Sequence, residues 1–150
     1  NQARAPKGGD TDQIRAVASG ECQIAVANSY YWARLVSSTK PEDQEVVSKV
    51  TMVFPNQATT GTQVNLSGGG VAKNAPHRDA AVKFLEYLSS DSAQRYFANG
   101  NNEWPTVPTV EIDNATLAKF GKFKADDLPA EVLGKRAADT QKLLDEVGYR

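Results

Sequence analysis

The sequence predicts an α/β fold. Short apolar runs alternate with amphipathic helical segments, and caps, glycines and prolines mark the borders between them. The two clearest runs, Cys22-Gln23-Ile24-Ala25-Val26-Ala27 and Val50-Thr51-Met52-Val53-Phe54, have strand length.

In chain order, Asp10 or Thr11 caps a first helix to about Ser19, with Ile14, Val17 and Ala18 on one face. Gly20 ends it, and residues 22–27 follow as a buried strand. Asn28 or Ser29 then caps a helix reaching about Ser37. Lys40-Pro41-Glu42-Asp43 restarts the chain towards a second strand, 50–54, which Pro55 stops. The polar stretch 56–62 reads as a loop or a crossing between domains; the residues alone favour the loop.

Residues 64–67 lead into Gly68-Gly69-Gly70, which lacks the spacing of a phosphate-binding loop. It reads instead as a strand whose backbone packs closely against a neighbour. Residues 78–89 form the most regular helix, with Ala81, Phe84, Leu85 and Leu88 at i, i+3, i+4 and i+7. Asp91 caps another, carrying Ala93, Tyr96 and Phe97 and ending near Gly100. The prolines of 103–108 make an extended connector. Pro129 opens a long terminal helix, whose stripe of Leu133, Ala137, Thr140, Leu144 and Val147 reads as ordinary packing.

The 150 residues are 40% hydrophobic and 23% charged, enough apolar material for a globular core. A formal charge of −1 offers no electrostatic basis for binding nucleic acid or an anionic membrane. No apolar run reaches the roughly 20 residues that cross a bilayer. The first residues show no initiating Met and no signal sequence, so the chain is expected not to begin where a gene begins. Cys22 is the single cysteine, which excludes an internal disulfide and a thiolate zinc cluster; it reads as a small buried hydrophobe. His77, also single, reads as exposed at a helix start. Ser29, Ser67 and Cys22 lie in no nucleophile signature, and Glu42-Asp43 and Asp126-Asp127 sit in polar segments. Binding, not catalysis, is expected.

The most informative residues are the adjacent phenols of Asn28-Ser29-Tyr30-Tyr31-Trp32. They fall in a first helical turn, where unpaired N–H groups favour anions and ease ionisation of a phenol. Two phenolates suit a small, highly charged cation such as Fe(III). Taken by themselves, the residues fit better the plainer alternative, two tyrosines closing over a core.

Several phrases together resemble the ferric-ion-binding periplasmic proteins that feed bacterial iron ABC transporters. They include Pro6-Lys7-Gly8-Gly9-Asp10-Thr11-Asp12-Gln13, Gly20-Glu21-Cys22-Gln23-Ile24-Ala25-Val26-Ala27-Asn28-Ser29-Tyr30-Tyr31 and Phe54-Pro55-Asn56-Gln57. The series continues with 61–73, Ala80-Ala81-Val82-Lys83-Phe84-Leu85-Glu86-Tyr87-Leu88 and Leu143-Leu144-Asp145-Glu146-Val147-Gly148-Tyr149. The resemblance implies a type II periplasmic-binding-protein-like two-lobed fold, incomplete because the N-terminal half is absent. It implies Tyr30 and Tyr31 as iron ligands, Asn28 and Ser29 beside them as anion-binding residues, and carbonate or phosphate as a possible synergistic anion.

By the same resemblance, residues 1–54 belong to the second lobe and 55–63 make the hinge crossing. Residues 64–110 return to the first lobe, and the helices of 111–150 pack on the second. The implied function is delivery of ferric iron to an ABC permease in the periplasm. Alternatives are another solute on the same fold (an oxyanion, a polyamine or a thiamine-like molecule) or an interaction domain that binds none. Two phenolates fill two of the about six positions of an octahedral ion, so the chain alone is expected to bind iron weakly. Exposed sheet edges are expected too, met by the absent half as a separate chain or by segment exchange between copies.

Overall fold

A computed structural model describes residues 7–149, so the first six positions of the 1–54 segment lie outside the described residues. Seven helices occur among the described residues: α1 (Asp10–Ala18), α2 (Ser29–Ser37), α3 (Pro41–Lys49), α4 (Arg78–Leu88), α5 (Asp91–Asn101), α6 (Ala115–Lys119) and α7 (Ala130–Glu146). They group into two compact units. One runs to Val64 and resumes at Lys122; the other is Asn65–Gly121. The sequence boundary at 110 therefore lies inside the second unit, which α6 extends.

In the first unit α1, α2 and α3 pack on one another. Ile14, Ala16, Trp32, Ala33, Leu35 and Val46 are buried between them. Complete burial of such a large apolar side chain stabilises by about 1.5–3 kcal/mol. The three helices are also tied by charge. Arg15 of α1 pairs with the buried Asp43 of α3, and Ser38 Oγ donates to the same carboxylate at 2.6 Å. Pro41 at the first helical position and Glu42 and Asp43 behind it are the residues a helix N-terminus favours.

The polar stretch 56–62 folds back on residue 124. Lys124 N donates to Gln57 Oε1 at 2.7 Å, and Gln57 Nε2 returns to Lys124 O at 3.0 Å. Thr62 and Ala125 form an isolated parallel bridge, while Phe54 stacks on Phe123 with centroids 4.2 Å apart. Gly61 must be glycine here: its φ is +100°, and a Cβ would meet the Ala125 carbonyl at 2.7 Å.

In the second unit α4 packs on α5. Ala93, Ala98, Val110 and Leu117 are buried. Asn114 Oδ1 caps α6 by accepting from Thr116 N and Leu117 N at 2.9 and 3.1 Å, and Asn114 Nδ2 donates to Ala98 O at 2.8 Å. The triple glycine is not the expected strand, since residues 64–70 join no ladder among the described residues, but it does bring backbone close to a helix: a Cβ on Gly69 would lie 2.9 Å from Leu85 Cδ2.

The predicted strands require correction. Beyond the Thr62–Ala125 bridge, no ladder joins any described residues. A strand is a pairing as well as a conformation, and 22–27 and 50–54 have no partner in the described chain. Their apolar side chains stand in the open: Ile24 is 86% exposed, Val26 92% and Val53 74%. The stripe of α7 is likewise uncovered, with no buried residue in the helix. No helix among the described residues is long and apolar enough to cross a membrane.

The Ser38 hydrogen bond, followed by the charge and hydrogen bond of Arg15, holds the Asp43 carboxyl below its ordinary value of 3.8 despite burial. A depressed folded value contributes stability that is complete above pH 3.8 and lost as pH falls through the folded value. Thermal melts of Asp43→Asn followed by circular dichroism should therefore lie below wild type at neutral pH. The gap should close in acid.

Candidate metal centre

Helix α2 starts where it does because Asn28 is extended, with φ −70° and ψ 138°, and its carbonyl accepts the first turn's bond from Tyr31 N at 3.2 Å. Buried Trp32, Ala33 and Leu35 anchor the helix to its neighbours. That anchoring sets the rotation of the first turn and leaves Tyr30 and Tyr31 half-buried, between core and solvent. The pair is not sealed in an apolar interior.

The two phenols are brought together. Their centroids lie 4.4 Å apart at 35°. Arg34, one turn on, sets its guanidinium 5.2 Å from each ring centroid. A cation there favours the ionised phenol and binds the ring faces. Helical spacing at i+3 and i+4 would have found Arg34 in the sequence. Ser29 occupies the first helical position, half-buried, and makes no side-chain cap.

Asn28 is the N-cap, but its side chain does not cap α2. Asp10, the first residue of α1, holds it instead. Asp10 Oδ2 accepts from Asn28 N at 2.7 Å and from Asn28 Nδ2 at 3.1 Å. No sequence signal links residues 18 positions apart across a helix and an extended segment. Among the described residues no three His, Cys, Asp or Glu side chains cluster as metal ligands; His77 immediately precedes α4, and half-buried Cys22 follows α1.

The expectation that the helix start eases ionisation is corrected for Tyr30. Its pKa is raised from the ordinary 10.0, first by the hydrogen bond from Tyr31, then by burial, by the charge Tyr31 would carry, and by Asp10. Arg34 opposes these without overcoming them. The raised value keeps the Tyr30 phenol protonated at neutral pH. A cation bound by its oxygen must displace that proton, and uptake then strengthens as pH rises. Ultraviolet difference titration should show the Tyr30 phenol ionising above 10.0 in the wild type. Tyr31→Phe should bring it back down, and Arg34→Ala should push it further up.

The comparisons with known proteins bear on this geometry. The family model of bacterial extracellular solute-binding proteins matches residues 2–125. The chain is 56% identical over 152 residues to iron uptake protein A2 of Synechocystis, covering all of this chain and 44% of that protein. It is 28% identical over 137 residues to the major ferric iron-binding protein of Neisseria meningitidis serogroup B, covering 91% of this chain and 40% of that one. Among solved structures, a Trichodesmium protein in complex with iron and citrate superposes with a TM-score of 0.89 at 56% identity, over 100% of this chain and 47% of that one. The ferric binding protein of Campylobacter jejuni gives 0.92 at 40% identity, again over 100% and 47%. The chain thus spans under half the length of these relatives and carries part of their two-lobed type II periplasmic-binding fold. With most of its length matched by the family model, the chain belongs to the bacterial extracellular solute-binding proteins.

Proposed function

We propose that this chain contributes the tyrosine half of a periplasmic ferric-ion site, in a protein that delivers iron to an ABC permease and is not an enzyme. The observation that carries the reading is the phenol pair itself. Two half-buried phenols lie with ring centroids 4.4 Å apart on one anchored helical turn, beside a guanidinium. The relatives named for iron uptake and ferric iron binding support the same reading. Tyr30 and Tyr31 bind the metal as phenolates, and the other positions around the ion are filled from outside this pair. Carbonate or phosphate at Asn28 and Ser29 is a separate matter, since Asp10 already holds Asn28.

In the same reading, residues 1–54 belong to one lobe, 55–63 cross to the other, 64–121 build part of it, the boundary at 110 moving to the end of the second unit, and 122–150 return. The division into two compact units, with the chain passing from one to the other and back, supports this. Lobes joined by such crossings close around a solute by hinge motion, and the permease would read the closed form. Exposed Ile24, Val26 and Val53 fit a complementary strand, from a separate chain of the same fold or from a second copy by segment exchange. Light scattering should then give a mass above that of one chain; a strictly monomeric, folded species would remove this part.

Ferric titration tests the metal site. Wild type should develop a visible tyrosinate-to-iron charge-transfer band that a strong chelator removes. Tyr30→Phe and Tyr31→Phe should each weaken binding by more than about 100-fold, because even an outer hydrogen-bond partner of a ligand is worth about 10–100-fold. An undiminished band in both variants would refute the assignment.

A further inference from the structure

The chain leaves its first compact unit after Val64 and re-enters it at Lys122. Just inside both points, one side-chain amide spans the outgoing and the returning segment. Gln57 Oε1 accepts from Lys124 N at 2.7 Å. Its Nε2 hydrogens are shared among Thr62 Oγ1 at 2.8 Å, Lys124 O at 3.0 Å and Pro55 O at 3.2 Å. Thr62 Oγ1 in turn donates to Pro55 O at 2.7 Å.

The turn that presents Gln57 closes on itself. Asn56 is left-handed, with φ 59°, and its carbonyl accepts from Thr59 N at 3.0 Å and Gly61 N at 2.9 Å. Lys124 Nζ reaches back to Thr59 O. Main-chain bonds extend the fastening, with Thr62 N donating to Lys124 O and Asp126 N to Thr62 O, each at 2.8 Å. Past the clasp the returning segment is free of such contacts at Gly121, where φ is +70° and a Cβ would meet open space.

Two independent connections let the bodies they join swing and twist about separate axes, whereas connections fastened to each other leave one. Hinge motion is absorbed by a few loop positions, and here the fastening stops where those positions begin. We propose that Gln57 is a positioning residue of the hinge: its amide binds the outgoing segment to the returning one, so that both turn together and bending is confined to 64–65 and 121–122. The proposal rests on the reading of 55–63 as a crossing between lobes. Gln57 and Lys124 are exposed, and the buried residues of α1, α2 and α3 are not among their partners, so the clasp can be removed without opening a core.

Two measurements on the full chain without iron test it. Hydrogen exchange reads the clasp: in Gln57→Ala, Lys124 N should exchange about three- to tenfold faster, the loss of about one net hydrogen bond. Thr62 N and Asp126 N should quicken with it, while the amides of α1, α2 and α3 keep their rates. Pulsed electron–electron double resonance reads the coupling, with spin labels at Glu42→Cys in α3 and Asn99→Cys in α5 and the native thiol removed by Cys22→Ser. The protein with Gln57 intact should give one narrow distance distribution, and Gln57→Ala one about twice as wide or wider. Insertion of two glycines between Val64 and Asn65 loosens one connection directly and marks the width of a free hinge.

An unchanged distribution in folded Gln57→Ala overturns the proposal, as does a distribution already as wide as that of the insertion when Gln57 is intact. If the insertion alone broadens the distances, the crossing at 55–63 stands without its clasp; if the insertion broadens nothing, the crossing falls as well. Should Gln57→Ala fail to fold, Thr62→Val removes the hydroxyl held between Gln57 and Pro55. It should broaden the distribution by less than the insertion, and no broadening overturns the proposal.

Discussion

The Tyr31 phenol, its ring centroid 4.4 Å from that of Tyr30, opposes ionisation of Tyr30, and the proposed site is built around that constraint. Tyr31 is the first cause of the raised Tyr30 pKa, and a cation bound by the Tyr30 oxygen would have to displace its proton. Arg34 and Asp10 set the balance from opposite sides, one easing ionisation and the other opposing it.

That chemistry needs α2 held still, and the holding is done by apolar burial. Trp32, Ala33 and Leu35 lock the helix between α1 and α3. Asp43, bonded by Ser38 and Arg15, fixes α3 to α1 and to the end of α2. Asp10 then fixes the other end of α2 through Asn28. Both ends of one short helix are thus tied by carboxylates, and its middle by apolar packing.

Five of the seven helices were legible in the sequence because their signals are local, while α3 and the five-residue α6 were not anticipated. The 3.6-residue spacing of Ala81, Phe84, Leu85 and Leu88 placed α4, and the segment expected from Asn28 or Ser29 to about Ser37 matches α2. Caps were legible to within a residue: Ser90 rather than Asp91 caps α5, accepting from Ala93 N at 3.3 Å. Strands were not, because apolar alternation records only that a segment is suited to pairing. Residues 22–27 and 50–54 are suited to it and find no partner among the described residues. The same limit hid the partner of Asn28. Its residue type announced a cap, while the contact it makes depends on how α1 packs. The closeness of the glycine run to a helix was readable at Gly69 from the absence of a side chain.

The central claim is that both phenolates bind one ferric ion. Resonance Raman spectroscopy of the ferric-loaded protein, excited in its visible band and repeated with ring-deuterated tyrosine, tests it most directly. The account predicts enhanced phenolate ring modes that shift on deuteration and resolve into two inequivalent tyrosinates. Iron bound with no enhanced ring mode, or with the modes of a single tyrosinate, would contradict it.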